Sequence, residues 1–140
     1  MKIRFLRESD FSKGFIECLE ELGKLQAKLS DMLISYKSRK KHGIKTFVVE
    51  DKFSNKIIAS ASLIIEPKFR YTEKCGHLED VCVAKTHQHQ GFGKKLVFHV
   101  LQYAKKKKCY KVILNCNDNN IPFYNSLGFF KHENSLRIDL

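Results

Sequence analysis

Between His77 and Ala104 the hydrophobic rhythm of the chain changes once, and that change narrows the folds open to it. His77 to Val83 reads as a strand. Leu96, Val97, Val100, Leu101 and Ala104 then recur at helical spacing. Gln88-His89-Gln90-Gly91-Phe92-Gly93 joins the two. A strand that turns through glycines into an amphipathic helix needs a sheet for the one and a covered face for the other. Gly91 and Gly93 lack a Cβ, so ligand oxygens can approach the main chain there. Free N–H groups and the dipole at the helix start favour an anion, and Lys94 and Lys95 add charge. The loop is not a Walker loop, and Leu96 stands where G-x-G-x-x-G requires its third glycine. By itself Gly-x-Gly is also compatible with a plain tight turn.

The remaining segments supply the sheet. Ile3 to Leu6 reads as a short strand, with Ser9 or Asp10 placed to cap a helix. Phe11, Phe15, Cys18, Leu19 and Leu22 predict that first helix, ending near Gly23. Leu25, Leu29, Met32, Leu33 and Tyr36 predict a second, which fades at His42-Gly43. Thr46 to Glu50 and Ile57 to Glu66 form a hairpin across Asp51 to Asn55. Lys68 to Gly76 is a polar loop. Lys111 to Cys116 reads as a strand buried on both faces. A short helix runs from Ile121 to Leu127, with Pro122 in its first turn and Gly128 as its stop. Phe129-Phe130 and Leu136 to Ile138 are strand material. The order β-α-α-β-β-β-α-β-α-β implies one α/β domain over residues 1–140, a mixed, mostly antiparallel sheet with helices on both faces.

Bulk properties exclude several classes. No stretch has the length or apolarity to span a bilayer, and the charged start at Lys2, Arg4 and Arg7 is unlike a signal peptide. A soluble, cytoplasmic protein is the default. The five cysteines are widely spaced without C-x-x-C, which argues against a disulfide framework and against a metal site. The formal charge of +11 suits nucleic acid, a membrane surface or a small anionic ligand. Aromatics are not interleaved with the lysines, and Lys105 to Lys108 suits a helix end, so neither nucleic acid nor membrane is expected as a partner.

The setting of Gln88-x-x-Gly91-x-Gly93, after a strand and before a long helix, resembles the hallmark loop of the GNAT superfamily of N-acetyltransferases. The element order is similar over essentially the whole chain. The resemblance implies acetyl-coenzyme A as co-substrate, with its pyrophosphate on Gln88, His89, Gln90, Gly91, Phe92, Gly93 and Lys94. It also implies a pantetheine arm paired with Val81-Cys82-Val83, and further contacts from Asn120 and Tyr124. Gly76-His77-Leu78-Glu79-Asp80-Val81 resembles a strand of the glucosamine 6-phosphate N-acetyltransferases. So do Cys109 to Cys116, Asn120-Ile121-Pro122-Phe123-Tyr124 with Gly128-Phe129, and Glu66-x-Lys68-Phe69. This nearer resemblance implies glucosamine 6-phosphate as acceptor, bound by Lys68, Phe69, Arg70, Tyr71, Glu79, Asp80, Tyr110 and Lys111. It also implies a homodimer in which Arg137 reaches the neighbouring site, with Asp139 the alternative in that register.

The chemistry asks for a neutral amine, a stabilised oxyanion and a protonated leaving thiolate. Tyr124 has a phenol that can donate to the sulfur. Glu79 and Asp80 are adjacent on a strand, so alternation puts them on opposite faces. Asn115 stands where the family has an aspartate; it can orient an amine but not accept its proton, which leaves water or Glu79. Leu22-Gly23-Lys24 also departs from the family, which has a threonine there. Outside the resemblance, two readings compete: a cysteine nucleophile, Cys116 or Cys82 with His77, and a basic nucleic-acid-binding module. An acetyltransferase for another small amine or a protein amine is the nearest rival.

Overall fold

The computed structural model describes residues 1–140. Its elements are β1 (Lys2–Phe5), α1 (Phe15–Leu19), α2 (Leu29–Lys41), β2 (Lys45–Glu50), β3 (Ile57–Pro67), β4 (Lys74–Val83), α3 (Phe92–Lys106), β5 (Cys109–Ile113) and α4 (Ile121–Asn125). The strands lie side by side in chain order. The first three pairings are antiparallel, and β4–β5 is parallel, with α3 as the crossover.

Strand alternation divides the core in two. Phe47 and Val49 of β2, Ala59, Ala61 and Leu63 of β3, and Leu78 of β4 meet Leu96, Val97, Val100 and Ala104 of α3. Val48 and Ile57 face the other way, onto Phe11 and Phe15. Each of these large side chains contributes about 1.5–3 kcal/mol by leaving water. The mixed sheet with helices on both faces therefore follows from the period-2 and period-3.6 patterns of the sequence.

The first helical stripe folds differently from its expectation. It is a 3-10 segment (Glu8–Ser12), then α1, then a second 3-10 segment (Glu20–Leu22). Gly14 interrupts it at φ +92°, and a Cβ there would sit 2.9 Å from the Ile57 carbonyl oxygen. The close approach lets the Ile57 N–H donate to the Lys13 carbonyl at 2.7 Å, tying this segment to β3. Leu25 lies ahead of α2 rather than within it. Strand β5 ends at Ile113 and is an edge strand, with Tyr110 and Lys111 exposed, because no strand covers its outer side. Beyond Gly128 the chain forms no regular element, and Phe130, Leu136 and Ile138 are exposed.

Asp10 is fully buried and does not cap a helix with an exposed carboxylate. Arg4 donates to both its oxygens (2.7 and 2.9 Å) and to Glu50 (2.8 Å), and the Arg7 N–H donates to it at 2.8 Å. Burial alone would raise the Asp10 pKa; the Arg4 guanidinium and the Arg7 N–H outweigh it and hold the carboxyl below its ordinary value. A depressed folded pKa stabilises above the unfolded value, so this contribution fades as pH falls through the acidic range. Arg4→Ala strands the Asp10 carboxylate and is expected to lower the unfolding free energy by about 3–5 kcal/mol, read from urea midpoints at neutral pH.

Candidate active site

Strands β4 and β5 stay paired only from Lys74–Cys109 to His77–Ile113. Past that point β4 runs on to Val83, while β5 gives way to a loop. The β5-facing edge of Leu78 to Val83 is thereby left without a neighbouring strand, and Val81, Cys82 and Val83 lie along it. An extended ligand arm can add there as a strand would.

A bulge marks the middle of this edge. Ser62 opposes Glu79 and Ser60 opposes Cys82, so Ala61 alone faces both Asp80 and Val81. Asp80 takes φ +52°, a left-handed conformation that a non-glycine residue adopts at a cost of about 1–2 kcal/mol. The bulge overturns the expected alternation. Glu79 shares the Ser62 side of the sheet, away from Leu78. Asp80 reaches the same side, where Arg39 of α2 donates to it at 3.1 Å and to the Ser62 hydroxyl at 2.6 Å. The two adjacent carboxylates therefore share a face.

The loop after β4 is held from below. The Gln88 side-chain amide donates to the Val83 carbonyl (3.0 Å) and to Glu21 (3.2 Å), and Glu21 also accepts from the Lys85 N–H at 3.1 Å. His89 (φ +59°) and Gly91 (φ +81°) turn the chain into α3. No acceptor within the chain takes the main-chain N–H groups from His89 to Lys94. Gly93 sits where an added Cβ would be 3.2 Å from Val83 and 3.5 Å from the Phe123 ring. A row of free donors at a helix start, beside Lys94 and Lys95, suits a pyrophosphate.

Tyr124 of α4 is nearly buried between the rings of Phe123 and Phe129. Its hydroxyl makes no hydrogen bond within the chain, yet it is not sealed from solvent. Burial, reinforced by Cys116 and Glu79, pushes its pKa up to about 12. At neutral pH it is a phenol with a proton to give. Asn120 directly precedes α4 and is exposed; its N–H donates back to Asn117. Asn115 is exposed in the loop after β5, outside the strand the sequence assigned it to.

The expected acceptor residues converge in part. Tyr71 and Tyr110 meet with tilted rings at 5.0 Å between centroids, with Arg70 near the first ring and Lys111 over the second. Lys68 pairs with Glu66, and Phe69 is fully exposed. His77 Nδ1 lies 3.2 Å from Glu79 Oε1. Arg137 is not brought to this group; it pairs with Asp139 in the exposed C-terminal segment. Sequence reasoning missed Glu21, Arg39, Ser60 and Ser62. Arg39 sits at the charged end of α2, among lysines, and nothing in its spacing separates it from them. A cavity of about 460 Å3 lies under α2, lined by Phe11, Phe15, Met32, Tyr36, Arg39 and Asp80. The buried Ser60 hydroxyl lines it without a hydrogen-bond partner.

Cys82 and Cys18 place their sulfurs 3.3 Å apart in the core. The contact with Cys18 and burial both raise the Cys82 pKa, so it rests as a thiol unsuited to nucleophilic attack.

Known proteins resemble this chain over nearly its whole length. The model of the acetyltransferase (GNAT) family matches residues 4–129. Glucosamine 6-phosphate N-acetyltransferase of Trypanosoma brucei brucei is 38% identical over 151 residues, covering 100% of this chain and 96% of that protein. The Arabidopsis thaliana protein of the same name is 38% identical over 135 residues, covering 91% and 88%. The crystal structure of glucosamine-6-phosphate N-acetyltransferase from Arabidopsis thaliana superposes with a TM-score of 0.91 at 34% identity, covering 99% of this chain and 97% of that one. Gly93→Ala fills the cradle between Val83 and Phe123 and is expected to weaken coenzyme A binding about tenfold or more by calorimetry, while the thermal midpoint moves only a few degrees.

Proposed function

The chain belongs to the acetyltransferase (GNAT) family, and on that premise we propose that it moves acetyl from acetyl-coenzyme A to the 2-amino group of glucosamine 6-phosphate. The observation that carries the donor half is the free edge of β4 leading to unpaired N–H groups at the start of α3. The acceptor half rests on relatives of that activity along the whole chain, together with Lys111 of β5 and Glu79 of β4 on one face of the sheet.

In this reading the pyrophosphate lies on the N–H groups from His89 to Lys94, and Gln88 fixes the loop beneath it. The pantetheine arm runs along Val81 to Val83, bordered by Asn120 and Tyr124. The acceptor phosphate meets Lys68 and Lys111 as point charges, with Phe69, Arg70, Tyr71 and Tyr110 walling the site. Glu79 and Asp80 lie at the bulge, where the amine approaches. Asn115 orients that amine, with Glu79 on the path of its proton. The amine attacks the thioester carbon directly, in a complex holding both substrates. Tyr124 donates its proton to the departing sulfur. A thiol of about pKa 8.5 and a phenol at about 12 leave that transfer uphill in isolation, so the phenol works as a hydrogen-bond donor until charge develops on sulfur.

A second subunit completes the arrangement. The outer edge of β5 is unpaired, and Phe130, Leu136 and Ile138 expose apolar faces in a segment with strand-like composition. Two such chains can cover these faces mutually, carrying Arg137 toward the neighbour's lysines. Sedimentation at micromolar concentration is expected to give a dimer, and removal of residues 134–140 a monomer. A wild-type monomer would overturn this.

Thiol release from acetyl-coenzyme A, measured beside one another with glucosamine 6-phosphate, glucosamine and a lysine peptide, tests the substrate. Turnover is expected with the phosphorylated sugar, with a much higher KM for glucosamine. Preference for the peptide would favour the rival reading, an acetyltransferase for a protein amine. In the same assay Tyr124→Phe is expected to lower kcat about 100-fold or more while coenzyme A affinity stays within about twofold. Equal loss of both would mean that the phenol only packs.

A further inference from the structure

The reaction needs a proton acceptor that the sequence does not supply at its expected place. An amine of pKa near 8 is largely ammonium at neutral pH and cannot attack. Asn115 has no acidic or basic form in that range, and it stands exposed in a loop.

The side of the sheet that carries Ser62 holds a short set of titratable groups around the bulge. Glu66, at the end of β3, is engaged by Lys68, which holds its carboxyl below the ordinary value. Asp80 is engaged by Arg39, itself bonded to Ser62, which in turn lies 3.0 Å from Thr46. Both carboxylates therefore face permanent cations. Lys111 of β5 is a cation. Tyr124 of α4, which packs with Leu78 and α3 in the core of the opposite face, keeps its proton. Glu79 is the exception: its partner is an imidazole, His77, at 3.2 Å.

The geometry points to His77, held by Glu79, as the base that takes the proton of the substrate ammonium. This rests on the amino-sugar reading above. Glu79, a carboxylate, can only accept, so the close Nδ1 of His77 must carry hydrogen and its Nε2 keeps the free lone pair. The same device, a carboxylate fixing an imidazole tautomer and stabilising the imidazolium, underlies acid–base catalysis by histidine elsewhere. Position agrees with it. Cys75 stands opposite Lys111 and Glu79 lies at the bulge, four residues on, about 13 Å along the strand. His77 is midway and half-exposed, on the same side. A sugar phosphate held by Lys68 and Lys111 with its amine at the bulge passes over it.

Proton balance is straightforward. The ammonium gives one proton to His77 Nε2, which passes it to solvent. The neutral amine forms the C–N bond as the C–S bond breaks. The sulfur gains a proton from Tyr124, and the nitrogen's second proton goes to solvent, from which Tyr124 is reprotonated. One proton is released in total.

The test is the pH dependence of kcat with glucosamine 6-phosphate for the wild type, His77→Gln and Glu79→Gln. At neutral pH both variants are expected to lose about 100-fold in kcat, with KM for acetyl-coenzyme A unchanged. The deficit of His77→Gln should shrink as pH rises past the amine's own ionisation, where no base is needed. Thermal midpoints equal to the wild type would accompany this, since the pair is half-exposed. A His77→Gln enzyme within about threefold of wild type at neutral pH overturns the assignment. So does a loss of the same size at every pH, which would mark a structural role. Wild-type protein inactive on glucosamine 6-phosphate would remove the substrate reading and this base with it, whereas an active wild type beside an unimpaired variant removes the base alone.

Discussion

Parting β4 from β5 after His77 is the constraint on which the rest of the molecule depends. A sheet that stayed paired would leave no open edge, and one that ended there would have no main chain to expose along it. The parallel pairing needs a crossover, and α3 supplies it. The same helix presents its unsatisfied N–H groups at the open end of the gap. One topological choice therefore makes the open edge and sets a row of unpaired N–H groups at its end.

The bulge at Asp80 acts on the other side of that slot. By placing two residues of β4 against one of β3, it turns neighbouring carboxylates to a common face. Their partners then give them different characters. Asp80 is locked to Arg39 of α2 and so ties the helical layer to the strand. Glu79 is left with an imidazole partner. Two residues adjacent in the chain and alike in chemistry are separated in role by what stands opposite them.

Much of this architecture is legible in the residues. Val48 between Phe47 and Val49 announces a strand covered on both faces. The stripe from Leu96 to Ala104 announces the helix that covers one of them. Gly91 and Gly93 announce the turn. What the pattern hides has physical causes. Gly14 lies inside an apolar period that reads as continuous, and only its contact with the Ile57 carbonyl shows why the helix must break. A bulge adds a residue without altering composition, so strict alternation misassigns Asp80. Long-range polar partners such as Glu21 with Gln88 or Arg39 with Asp80 lie 67 and 41 residues apart, and nothing local to either marks them. Lys111 to Cys116 reads as a core strand from hydrophobicity alone, but edge position is a property of the sheet, not of the segment.

The Gln88 and Glu21 contacts have a thermodynamic consequence. The turn ahead of α3 is tied down mainly by long polar side chains and main-chain groups near the surface, with only the His87 ring packed on Phe92. Releasing it uncovers little apolar area, so its opening carries only a small change in heat capacity. The global unfolding of the two cores is governed by curvature with temperature; the lifting of this turn follows a nearly straight van't Hoff line. The enthalpy of lifting this turn is therefore expected to change less with temperature than that of unfolding the sheet that carries it.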